Sequence, residues 1–123
     1  MRQIKFKAKE LAEPNRWMFG SLYEENGDFF IWNKVGNRDF PIQVIKETIS
    51  QFTGLVDADS QYIYENDIIE SEKGTRHLIS YDEHEACFKA ILLKNNYLEY
   101  SCNINQNWIN KYNKKVVSSI FDN

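Results

Sequence analysis

Cysteine, proline and glycine are all scarce in this chain of 123 residues, at two, two and five copies. So little proline and glycine excludes collagen-like, linker-like and low-complexity architectures. Two thiols, Cys87 and Cys102, are too few for a disulfide framework, and they read as free small hydrophobes. Long apolar runs are missing as well. The longest, Ala90-Ile91-Leu92-Leu93, falls far short of the roughly 18 residues of a bilayer-spanning helix, so no membrane partner is expected. The opening Met1-Arg2-Gln3-Ile4-Lys5-Phe6-Lys7 alternates apolar with basic side chains and lacks the apolar stretch of a secretory signal, which leads to the expectation of a cytoplasmic protein. An excess of positive charge is also absent. The net charge of −3 removes the global positive field that dominates non-specific nucleic-acid binding.

Aromatic residues, by contrast, are plentiful: eight Phe, seven Tyr and three Trp, too many for a disordered chain. The length fits one compact domain, residues 1–123, with one core. Ile4 to Lys9 alternates apolar and basic residues, the period-2 pattern of a half-buried strand with a cationic outer face. Asn26-Gly27 lies between two aromatic-rich runs and signals a tight β-hairpin turn. Residues 42–49 are ambiguous: Ile42, Ile45 and Ile49 have helical spacing, yet the stretch is rich in β-branched residues. Asp57-Ala58-Asp59-Ser60 reads as a turn leading to strands at Ile63-Tyr64 and Ile68-Ile69. Further strands are expected at 77–81, 86–92, 97–100 and 116–121, with a turn at Asn95-Asn96. Ile104, Trp108, Ile109 and Tyr112 share one helical face and predict a short helix near the C-terminus. Many short strands at close spacing point to a mainly β fold, a small barrel or sandwich.

Charge is unevenly spread, at +1 over residues 1–56, −7 over 57–85 and +3 over 86–123. The central acid reads as turn residues and solvated loops rather than a cation site. Asp57 and Asp59 start a calcium-loop pattern, but Tyr62 and Ile68 stand where it needs Gly and Glu. His77, His84, Cys87 and Cys102 lack the spacing of a zinc site, so neither a metal nor another cofactor is expected. Cys87 or Cys102 with His84 is the only thiol–imidazole option for nucleophilic catalysis, and Cys87 lies in an apolar run where a thiol is inert. A metal-dependent hydrolase would require Glu65, Asp67, Asp82, Glu83, His84 and Glu85 to converge. No catalytic residue is assigned.

Three segments together resemble the YopX family of phage and prophage proteins. They are Arg2-Gln3-Ile4-Lys5-Phe6-Lys7-Ala8, then Gln51-Phe52-Thr53-Gly54-Leu55-Val56-Asp57 followed by Ile63-Tyr64-Glu65-Asn66-Asp67-Ile68-Ile69, and finally Val116 to Asn123. The sequence departs from the family's habit at Lys9, where Trp is common, and at Ser50, Ser60, Asn66 and Ser118, where Gly is common. The resemblance implies a single mainly β domain with an SH3-like barrel component, and no established enzymatic activity. It carries the motif positions Gln51, Thr53, Gly54, Leu55, Asp57, Ile63, Tyr64, Glu65, Asp67 and Ile68, with a structural or interaction role.

The leading expectation is therefore a non-enzymatic accessory protein that binds another protein, or further copies of itself. The less favoured alternative is a nucleic-acid-binding module in which Lys5, Lys7 and Lys9 join Lys111, Lys114 and Lys115 in one basic face, with Trp17 or Trp108 available for stacking.

Overall fold

The computed structural model describes residues 3–35, 38–94 and 97–122. The fold is mainly β: the described residues form two antiparallel sheets and one short helix, with 57% strand. The chain forms two compact units, Met1–Phe52 and Thr53–Asn123.

In the first unit β1 (Phe6–Lys9), β2 (Trp17–Glu25), β3 (Asp28–Val35) and β4 (Arg38–Val44) precede a 3-10 turn, Lys46–Thr48, and the start of β5 (Ser50–Val56). The spatial order is β4-β3-β2-β1-β5. Asn26 and Gly27 hold φ of 52° and 85°, the double left-handed geometry of a two-residue hairpin turn, and they set the register Glu25 opposite Asp28, Tyr23 opposite Phe30 and Ser21 opposite Trp32. That register fixes the two faces of the sheet, since side chains alternate along each strand. Met18, Ile31 and Val44 join Ala8 in the buried core, with Leu22, Phe29 and Ile42 against it. Phe19, Tyr23 and Trp32 point the other way and remain exposed.

The ambiguous stretch 42–49 resolves into two pieces. Ile42 and Val44 pair with Ile31 and Phe29, so tertiary pairing and β-branching prevail there, and only Lys46–Thr48 coils. Thr48 anchors that coil, donating its hydroxyl to the Ile45 carbonyl at 2.7 Å and accepting from the Lys9 amide at 2.9 Å.

The SH3-like barrel implied by the family resemblance is not established, because no sheet closes among the described residues. The first unit nevertheless curls toward closure. β1 pairs with β5 only at Phe6 and Lys7, while Glu10 bridges Val44 and the Ile45 amide donates to the Lys9 carbonyl at 2.8 Å. A four-residue β1 shares that edge between two partners and is too short to complete a ladder with either.

The second unit contains the end of β5, β6 (Tyr62–Tyr64), β7 (Asp67–Glu70), β8 (Arg76–Asp82), β9 (Cys87–Lys94), β10 (Tyr97–Asn103), α1 (Gln106–Lys111) and β11 (Lys115–Ser119). Its sheet runs β10-β9-β8-β7-β11. Ile63, Ile69, Ile79, Ala90 and Ile109 are fully buried, with Leu55, Ile104, Trp108 and Val116 packed against them. The predicted C-terminal helix is present: Asn105 caps it by accepting the Trp108 amide at 2.8 Å, and Gln106 ties it to both backbone groups of Val56. Lys111 lies in the last turn, the favourable end of the helix dipole for a cation. The expected turn at Asn95-Asn96 lies outside the described residues, as do Arg2 and Asn123 of the family-like end segments.

Candidate functional site

The central motif block forms a backbone staple. Asp57 is only 3% exposed, and its carboxylate accepts the Asp59 and Gln61 amides through Oδ1 at 2.8 and 2.9 Å and the Val116 amide through Oδ2 at 3.0 Å. A turn rich in oxygen acceptors thereby captures a strand 59 residues away in sequence. Thr53 donates to the Ile63 carbonyl at 2.7 Å and accepts the Leu55 amide, joining β5 to β6 around Gly54, whose φ of +89° suits glycine. Asp67, 1% exposed, accepts the Tyr64 amide at 2.9 Å and closes the tight turn through Glu65 and Asn66. Burial, then the Asp67 charge, then Tyr62 push the Tyr64 phenol up to about 12. Leu55 and Ile63 belong to the core, and Ile68 pairs with Leu78. Gln51 lies opposite Phe6 in the first unit.

The basic residues sort differently from the expected single face. Lys7 and Lys9 are 8% and 6% exposed, so the cationic outer face expected of β1 is not there. β1 is flanked by β2 on one edge and by β5 and the end of β4 on the other, and both ammonium groups lie over the Trp17 ring at 4.5 and 5.5 Å. Lys5 is half-buried. In the second unit, Lys111 is exposed, Lys115 faces Asp59 at 3.6 Å, and Lys114 is 3% exposed.

Of the residues weighed for acid–base or metal chemistry, Asp67 and Asp82 serve as acceptors for backbone amides. Asp82 accepts the His84 and Glu85 amides and lies 3.6 Å from Lys89, which also pairs with Glu85. Those amides, followed by the Lys89 charge, hold its carboxyl below the usual range. Glu83, His84 and Glu85 are exposed turn residues. Among the described residues no three His, Cys, Asp or Glu side chains gather into a metal-holding group. Cys87 is half-buried, Cys102 is exposed, and both are free.

A groove of about 490 Å³ lies in the second unit between the β7–β8 loop and the helix end, lined by His77, Cys102, Trp108, Lys111, Tyr112 and Lys114 among others. Its far wall is the loop Ser71–Thr75, closed by hydrogen bonds from the Ser71 amide to the Thr75 carbonyl and from the Gly74 amide to the Ser71 carbonyl, both 2.9 Å. α1 ends in a left-handed Asn113, φ 53°, so that the Lys114 amide donates back to the Ile109 carbonyl at 3.0 Å and the chain doubles over the helix end. The Lys114 ammonium comes to rest 4.6 Å from the Trp108 ring centre and 3.1 Å from His77 Nδ1. Because the ammonium can only donate, Nδ1 is the acceptor and the imidazole proton sits on Nε2. Burial and then the Lys114 charge lower His77 to about 4, and burial lowers Lys114 itself.

The family model described as YopX protein matches residues 5–123, nearly the whole chain. The chain belongs to the YopX family. No curated protein matches it. No helix among the described residues is long and apolar enough to cross a membrane. In this YopX chain two of the departures from the family's glycine habit fall where glycine geometry is kept: Ser60 and Asn66 hold φ of 64° and 70°. Asn adopts that region readily because its short amide can bond nearby backbone. Ser50 instead turns its hydroxyl to the Thr48 carbonyl at 3.0 Å and is fully buried. Ser118 sits at the bulge where the pairing of β11 with β7 shifts. The sequence alone associated Lys114 with Trp108 through the basic-face alternative, whereas His77 entered only among possible zinc ligands and was not grouped with them. The three come from β8, α1 and the residue before β11, and no local spacing joins them.

Proposed function

We propose that this YopX-family chain is a non-enzymatic, cytoplasmic accessory protein of phage or prophage origin that docks another protein through the aromatic face of its first unit. The observation carrying this reading is the exposure of Phe19, Trp32 and Tyr23, at 53%, 43% and 38%, on the side of the sheet opposite the core. Tyr23 lies 5.7 Å from Phe30 and 6.4 Å from Trp32, centroid to centroid, which makes the patch continuous across β2 and β3. Such contiguous aromatic surface is costly in water and typical of interface hot spots. A protein is favoured over a nucleic acid because the adjacent hairpin tip carries Glu24, Glu25 and Asp28, all exposed, which repel phosphate. The curl of the first unit toward closure is the basis for reading it as the family's barrel component.

Trp32→Ser tests the reading without touching the core. Light scattering is expected to show a concentration-dependent mass that the substitution returns to monomer, or affinity capture is expected to retain a protein that the substitution releases. A chain that stays monomeric and holds nothing sensitive to Trp32 overturns it.

A further inference from the structure

We propose that the groove beside α1 is a binding site for a nucleoside phosphate, with the phosphate at Lys114 and the base against Tyr112. The site is independent of the aromatic sheet face, which lies in the first unit.

A lysine that is 3% exposed ordinarily finds a carboxylate, because a buried charge without one is strongly disfavoured. Among the described residues no carboxylate lies within ion-pair distance of Lys114. Its partners are His77 Nδ1, the Trp108 ring, the Tyr112 ring at 5.8 Å and, electrostatically, the Cys102 thiol. A neutral nitrogen and two π faces compensate a full charge only in part. The side chain is held there by backbone on both sides: the Lys114 amide donates to Ile109, and the Lys114 carbonyl accepts from Ala58 at 2.9 Å.

Charge around the groove favours an anion. Lys73 and Lys111 line it beside Lys114, whereas Glu72 is its one acidic lining residue and already accepts from the Asn113 side-chain amide. This excess of cations borders the most acidic stretch of a chain with net charge −3. Two further features select the rest of the ligand. With Nδ1 occupied by Lys114, His77 presents an Nε2–H donor, which suits a phosphate oxygen. Tyr112, 47% exposed, lines the groove with its ring edge-on to Trp108 at 6.5 Å and under Lys111 at 5.4 Å, and its exposed part offers a surface on which a base can stack. A volume of about 490 Å³ falls within the roughly 300–1,000 Å³ of small-molecule sites.

The test is a titration of the isotope-labelled full chain with AMP, UMP, adenosine, orthophosphate and a short single-stranded oligonucleotide, followed through the Trp108 indole N–H and the His77 ring. AMP or UMP is expected to bind saturably with shifts centred on Trp108, His77 and Tyr112, adenosine more weakly, and orthophosphate to compete. Lys114→Met, which fills the same buried slot with an uncharged chain, should keep the fold and lose about tenfold or more in nucleotide affinity. Displacement of AMP by the oligonucleotide assigns the ligand to a strand, and failure to displace it assigns a free nucleotide; both support the site. Overturning results are an absence of shifts at millimolar nucleotide, adenosine binding as tightly as AMP, or unchanged affinity in a folded Lys114→Met chain. Substitution at Trp32 should leave this binding unaltered, which separates the outcome from that of the sheet-face reading.

Discussion

At the scale of single residues, His77 and Asp57 show how burial changes what a polar side chain does. His77 is lowered to about 4 from an ordinary value of 6.5, so it remains neutral in the folded chain while its unfolded counterpart takes up a proton below 6.5. The stability it contributes is complete above pH 6.5 and is lost as pH falls toward 4. At ~1.4 kcal/mol per pH unit, reduced for the site's partial access to water, the loss should reach about 2 kcal/mol. Urea denaturation at about pH 7 and about pH 4, compared with His77→Gln, checks this, since the variant keeps an acceptor for Lys114 but does not titrate. Its stability should fall less over the same interval by that amount. Asp57 acts through its hydrogen bonds to backbone. Asp57→Ala leaves three backbone amides without their acceptor, and an unfolding experiment should show a loss of about 3 kcal/mol.

At the scale of elements, the hairpin of β2 and β3 was legible because Asn26-Gly27 and the flanking aromatic alternation agree. Gly20 was not, although its constraint is as strict. A Cβ at Gly20 would collide with the carbonyl oxygen of Trp32, and its φ of +154° disfavours any other residue. Gly20→Ala is expected to cost about 2–3 kcal/mol and to disturb amides of both strands, as thermal unfolding and amide chemical shifts would report. Residues 42–49 resisted assignment because their isoleucines have helical spacing while their β-branched composition favours a strand, and pairing with β3 decided between them. Alternation along β1 suggested an exposed lysine face. It failed because alternation says which side chains share a face, not what covers that face, and here the Trp17 ring lies against both ammonium groups.

At the scale of the whole molecule, each compact unit has its own core, built on Ile31 in one and on Ile79 in the other. Either residue changed to alanine should cost about 2–5 kcal/mol. Native-state hydrogen exchange is expected to show Ile31→Ala weakening protection mainly within residues 1–52 and Ile79→Ala mainly within 53–123. Equal loss in both units for either variant would show that they open as one.

Composition, period-2 alternation and turn chemistry by themselves determined the mainly β class, the first hairpin, the short C-terminal helix and the turn at Asp57, because each depends on residues close in sequence. The central motif was recognisable for the same reason, and with it the family. Only the tertiary structure decided that Asp57 reaches Val116, that Lys7 and Lys9 are buried over Trp17, and that Lys114 meets His77 and Trp108. The first and last of these join residues brought from distant parts of the chain, and the burial of the two lysines depends on Trp17, which the pairing of β2 with β1 sets beside them. A buried charge takes its partners from whatever the fold places beside it, and no local pattern encodes that choice.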